Sequence, residues 1–193
     1  MEFKENLRLP YLALLVGMFA ISTSAILIRY SNSEPLVIGT YRQAFATLAF
    51  LPFIFKDRGA EISSQSNSTL LEMALTGILL GAHFSFFITS VKETSVAASV
   101  LLATCHVVYV AILGKIFFGE TLSKKAIIGT TIALGGILVL FGGDLIDNPG
   151  NFKGNFYAFV AGVLAGLYYL SGRKLRRTIS SVSYTHLTLP TKS

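Results

Sequence analysis

"VAASVLLATCHVVYVAILGKIFF", Val96 to Phe118, holds 23 residues and a single charge, Lys115. An α-helix rises about 1.5 Å per residue. A hydrocarbon core of about 30 Å therefore takes roughly 20 apolar residues to cross, and a run of this length and composition reads as a membrane span. Outward from it lie five more such runs: Tyr11 to Ile28, Pro35 to Phe55, Leu70 to Val91, Ala126 to Gly142 and Phe156 to Gly172. The links between them are short, so no extramembrane domain fits. The expected fold is all-α, a polytopic membrane helix bundle.

Composition agrees. Of 193 residues, 52% are hydrophobic and 13% charged, against about 25% charged in an ordinary soluble chain. Lys4 and Arg8 before the first run mimic a signal peptide, but that run is long and no small-residue cleavage site follows it. Cys105 is the one cysteine, so no intramolecular disulfide forms.

The net charge of +6 invites a nucleic-acid reading, which the placement of the charges excludes. With the N-terminus in the cytoplasm, eleven Lys and Arg fall on the inner side: Lys4, Arg8, Lys56, Arg58, Lys115, Lys124, Lys125, Arg173, Lys174, Arg176 and Arg177. Four fall on the outer side, Arg29, Arg42, Lys92 and Lys153. Basic bias in short loops sets orientation. The excess is a topology signal for a plasma (inner) membrane protein with a cytoplasmic N-terminus.

Five spans are followed by a polar loop, "DLIDNPGNFKG", and a sixth span, which suggests a repeat boundary near Asp144. Sliding span 1 along by 145 residues places Ala13, Gly17 and Ala20 on Ala158, Gly162 and Ala165, and Arg29 on Lys174. An odd number of spans per unit turns the second copy upside down, the inverted-repeat plan of many secondary transporters. The expected organisation is a first repeat over 1–143, and a loop with the first span of a second repeat over 144–181. Beyond it, "VSYTHLTLPT" (Val182 to Thr191) is neutral, Thr-rich and aperiodic, and resembles the translated read-through of a transposase sequencing adapter at all ten residues. Residues 182–193 are accordingly expected to be non-native, and the rest an N-terminal fragment.

Three local features carry a further likeness: "TSVAAS" between spans 3 and 4, "FFGETLSKKAIIG" between spans 4 and 5, and "ALGGILVL" in span 5. Together with "TYRQAFA" in span 2, they make the chain similar to the EamA-type domain of the drug/metabolite transporter superfamily. The resemblance implies a ten-span carrier of small organic solutes built from two inverted five-span repeats, with the substrate cavity between them. One departure stands out. The family's usual mid-span-4 proline is absent, Val107 standing near its position, and with it goes the usual cause of a kink.

Polar residues inside spans cost free energy and are candidates for function. His83 and His106 lie near mid-depth on adjacent spans, and helical spacing puts Phe87 beside the first and Tyr109 beside the second. Such a pair can stack and hydrogen-bond an organic solute or move a proton near neutral pH; the competing reading is bonding between helices. Arg42, about seven residues into span 2, is suited to a substrate carboxylate, while a side chain so placed also snorkels to the outer interface or pairs helices, the preferred reading. Ser22, Thr23 and Ser24 in span 1 and Thr104 in span 4 are weaker candidates, since such hydroxyls bond their own helix. Tyr168 and Tyr169 read as interfacial belt residues. Gly77 with Gly81, Gly129 with Ala133, and Ala158, Gly162 and Gly166 recur every four residues, the spacing of close helix contact.

All ten carboxylates fall in loops or at span ends, so this part of the chain offers no buried Asp or Glu for a proton relay. Glu120 belongs to a structural turn in which Ser123 caps the next span. An intramembrane enzyme is the rival reading. It lacks a Gly-x-Ser-x-Gly or His-Glu-x-x-His motif, and Ser85 points away from His83. A metal on His83 and His106 would want a third ligand, and Cys105 faces elsewhere. A membrane assembly or scaffold subunit is a third class, for which "KDRGAEISSQSNST" is only a polar linker. The expectation is a transporter, not an enzyme, with no cofactor and no metal. Its partners would be a small organic solute and the lipid bilayer, with homo-oligomers allowed and nucleic acid excluded.

Overall fold

Each apolar run folds as a helix, and the described residues contain no strand. The computed structural model describes residues 8–57 and 65–188; Lys4, Arg58 and residues 189–193 lie outside them. In chain order the helices are α1 (Arg8–Tyr30), α2 (Pro35–Asp57), α3 (Asn67–Glu93), α4 (Val96–Thr104), α5 (His106–Phe118), α6 (Lys124–Asp147) and α7 (Phe152–Thr188). Local chemistry sets several boundaries. Ser66, Ser95 and Ser123 accept from the backbone N–H groups of Thr69, Ala98 and Ala126 at 3.3, 3.1 and 3.2 Å, each satisfying an orphan donor at a helix start. Gly119 ends α5 in the left-handed conformation at φ 64°. The Gly119 N–H bonds the Lys115 carbonyl at 3.1 Å, the five-to-one bond of an αL cap, which glycine enters without strain.

Among the described residues, four segments are long and apolar enough to cross a membrane: Tyr11–Tyr30, Asn67–Glu93, Val96–Phe118 and Lys124–Gly143. The expected second and sixth spans are helical but are not among these four. α2 carries Arg42 and Gln43, and α7 carries Lys153, Asn155 and a basic run from Arg173.

Two helix boundaries lie beyond the apolar runs. The polar loop after span 5 is shorter than its composition suggests: α6 runs on to Asp147, a single 3-10 turn covers Pro149–Asn151, and α7 begins at Phe152. The tail, read as aperiodic, continues α7 as far as Thr188.

Span 4 is interrupted at Cys105 although no proline is present. The Val108 N–H bonds the Cys105 carbonyl at 2.8 Å, an i to i−3 bond. Side chains take up neighbouring carbonyls: the Thr104 hydroxyl donates to Val100 and Leu101 oxygens at 2.8 and 3.0 Å, and His106 Nδ1 to the Ala103 oxygen at 3.2 Å. Hydroxyl back-bonding of this kind bends helices. It replaces proline as the cause.

α7 forms the axis of the bundle, lying along α3 and crossing α4 and α5. Its Ala158 and Ala161 are fully buried, whereas Phe19 on α1 is 73% exposed and Val139 on α6 is 76% exposed. An apolar exterior over polar interior residues such as Asn155, Ser90 and Ser99 suits lipid as the solvent. Both ends of the bundle are tied. At one, Arg29 donates to the Val91, Lys92 and Thr94 carbonyls at 2.8, 2.9 and 3.1 Å, and the Thr94 hydroxyl donates to Asn155 Oδ1 at 2.9 Å. At the other, Arg173 pairs with Glu120 at 2.8 Å and Lys174 with Glu72 at 2.6 Å.

Candidate functional site

A cleft of about 250 Å³ opens in the bundle, lined from every helix except α6. Helical periodicity explains how each element reaches it. Leu80, His83, Phe84 and Phe87 of α3 recur at the three- and four-residue spacing of one face. Val100, Ala103 and Thr104 do the same on α4, and Ala165, Tyr168 and Tyr169 on α7. From α1 come Ile21, Ser22, Ser24 and Ala25, from α2 Arg42, and from α5 His106.

The two imidazoles are held by backbone carbonyls. His83 Nδ1 lies 2.8 Å from the Ala161 oxygen of α7, and His106 Nδ1 lies 3.2 Å from the Ala103 oxygen. A carbonyl only accepts, so both Nδ1 atoms carry hydrogen. In the neutral ring Nε2 is then left as an acceptor. Each ring also stacks on an aromatic: His83 on Phe87 at 6.2 Å and 14°, His106 on Tyr169 at 4.8 Å and 22°. Arg42 reaches across to α1 and α3. Its guanidinium turns into the cleft, 4.3 Å over the Phe84 ring and 3.4 Å from Ser24 Oγ.

Of the candidates read from the sequence, the cleft gathers His83, Phe87, His106, Arg42, Ser22 and Thr104. Tyr109 is left out. It is 5% exposed and points the other way, its ring seated against Gly162 and its Cβ against Gly166 of α7, and edge-on to Phe159 at 5.4 Å. Thr23 bonds its own helix at the Phe19 oxygen, and Ser85 does the same at Gly81. Cys105 packs into the core beside Leu102 and Tyr109. Tyr168 and Tyr169, read as belt residues, also line the cleft, as does Phe84, which the sequence reading did not single out. The signal for both tyrosines was their place three and four residues after Ala165, on the face that meets α4 and α5.

A second cavity of about 280 Å³ adjoins the first, sharing His106 and Tyr169 and lined further by Val107, Val110, Leu170, Arg173 and Arg176. The stacked His106 and Tyr169 rings stand between the two.

Residues 8–142 match the model of the EamA-like transporter family. An uncharacterized transporter of Archaeoglobus fulgidus is 28% identical over 152 residues, covering 77% of this chain and 53% of the relative. An uncharacterized transporter of Helicobacter pylori is 23% identical over 162 residues, covering 82% and 52%. The chain spans about half the length of the curated relatives it matches. No solved structure matches it.

Proposed function

We propose, since the chain belongs to the EamA-like transporter family, that the cleft is the solute site of a membrane carrier of small organic molecules working by alternating access. The observation that carries this reading is the convergence of Arg42, His83 and His106 on one cavity inside an otherwise apolar bundle. Ionisable side chains at membrane depth are costly and mark solute pathways. Aromatic walls with a few fixed polar groups suit a small organic ligand.

In the proposed arrangement, residues 1–143 form one five-span repeat and α7 opens an inverted second one, which completes the wall of the cleft. Residues 182–193 are proposed to lie outside the native protein. The basic bias of the loops supports an inner-membrane protein with its N-terminus in the cytoplasm. The end holding Arg29 and Thr94 then faces outward, and the end holding Glu72, Glu120 and Arg173 faces inward.

The test is flux. The uninterrupted transporter is reconstituted in proteoliposomes loaded with a panel of labelled carboxylates, amines and neutral aromatics. His83→Ala combined with His106→Ala should impair release of the transported solute by about tenfold or more, the scale of losing hydrogen bonds worth about 1 kcal/mol each. Unchanged flux at equal protein content removes both histidines from the site.

A further inference from the structure

We infer that the cleft recognises a small planar organic anion that also carries a hydroxyl or N–H donor. The inference rests on reading the cleft as the solute site. Arg42 is the first reason. A guanidinium has five N–H donors, yet among the described residues this one makes a single hydrogen bond, at 3.4 Å to Ser24 Oγ, besides its contact with Phe84. No carboxylate lines the cleft. A cation at membrane depth with its donors unspent calls for a counter-anion, and the guanidinium fork fits a carboxylate in bidentate fashion.

The adjoining cavity repeats the pattern. Arg173 and Arg176 line it, again without a carboxylate in the wall. Arg173 is taken by Glu120, while Arg176 has no ion pair among the described residues. An organic cation would meet positive charge in both cavities, and an anion would be attracted along them. The histidines supply the rest of the selection. With Nδ1–H bound to the Ala161 and Ala103 carbonyls, each neutral ring offers Nε2 as an acceptor. A solute with no donor leaves these acceptors unpaired, which costs affinity. Phe84, Phe87 and the two tyrosines favour a flat ring.

The test uses three probes of one shape on the purified uninterrupted transporter in detergent micelles: hydroxyphenylpropionate, an anion with a donor; phenylpropionate, the same anion without it; and tyramine, a cation with the donor. Binding is expected to be tightest for the first and several-fold weaker for the second. Tyramine should bind about tenfold or more weaker than the first, the scale of a hydrogen bond to a charged group. Arg42→Gln should erase the preference for the anions, and the probe order in the unsubstituted chain decides the matter even if that variant fails to fold. Tyramine binding as tightly as the anions overturns the solute class and leaves the cleft standing as a site. Failure of all three probes also overturns the class, while the histidine flux experiment judges the cleft independently.

Discussion

α6 and α7 carry the same small-residue signature and use it differently. On α7, a Cβ added at Gly154 would lie 2.7 Å from the Glu93 and Thr94 backbone, and one at Gly162 would lie 2.7 Å from the Leu102 carbonyl and 2.6 Å from the Tyr109 ring. On α6, a Cβ at Gly129, Gly135, Gly136, Gly142 or Gly143 meets nothing within 4 Å. The same holds for Gly77 and Gly81 of α3. A four-residue repeat of small side chains permits close approach but does not create it. What lies opposite decides, and α7 has α3, α4 and α5 against it whereas α6 meets mainly the exterior.

The largest effect should therefore come from filling the α7 seam. Gly162→Ala and Gly154→Ala push a methyl into backbone atoms that cannot rotate away, and overpacking of this kind costs about 1–3 kcal/mol. Gly166→Ala should cost less, because its nearest neighbour is Tyr109 Cβ at 3.1 Å. Equilibrium unfolding of the detergent-solubilised chain in rising denaturant reads the difference. If Gly162→Ala leaves the midpoint unmoved, α7 does not sit on Tyr109 as described.

The seam also shows how far the sequence could be read. The all-helical bundle, four of the six spans and the Ser123 cap follow from apolar run length and residue chemistry, and the structure shows each of them. Tyr109 does not follow. Its spacing from His106 suggests a shared face, but the notch that receives its side chain is cut by Gly162 and Gly166, more than fifty residues on. Arg42 is similar: its partners, the Phe84 ring and the Ser24 hydroxyl, come from two other helices. The interruption at Cys105 escaped for another reason. Proline is the familiar cause of a break, and here the Thr104 hydroxyl and His106 imidazole compete for the carbonyls instead.

An intermediate effect, of opposite sign, is expected on α6. Gly136→Ala adds a methyl to open space and removes the backbone freedom that makes glycine costly in a helix, a gain of up to about 1 kcal/mol. The same unfolding measurement should show a midpoint that is unchanged or raised. A loss comparable to that of Gly162→Ala would mean that α6 is packed against something, and the contrast between the two helices would collapse.

The smallest effect tests whether α7 is held by shape or by charge. Lys153 and Glu93 approach to 3.6 Å with 63% and 41% of their side chains exposed, a geometry in which ion pairs contribute about 0–1 kcal/mol. Lys153→Ala should thus shift the unfolding midpoint by less than any of the seam substitutions, and added salt should shrink even that shift by screening. The neighbouring residue, Gly154, makes the comparison internal, since the two positions share one turn of helix and one opposing segment. If Lys153→Ala cost as much as Gly154→Ala, the tie between α7 and the α3–α4 turn would be electrostatic. The glycine beside it would then be a consequence of close approach rather than its cause.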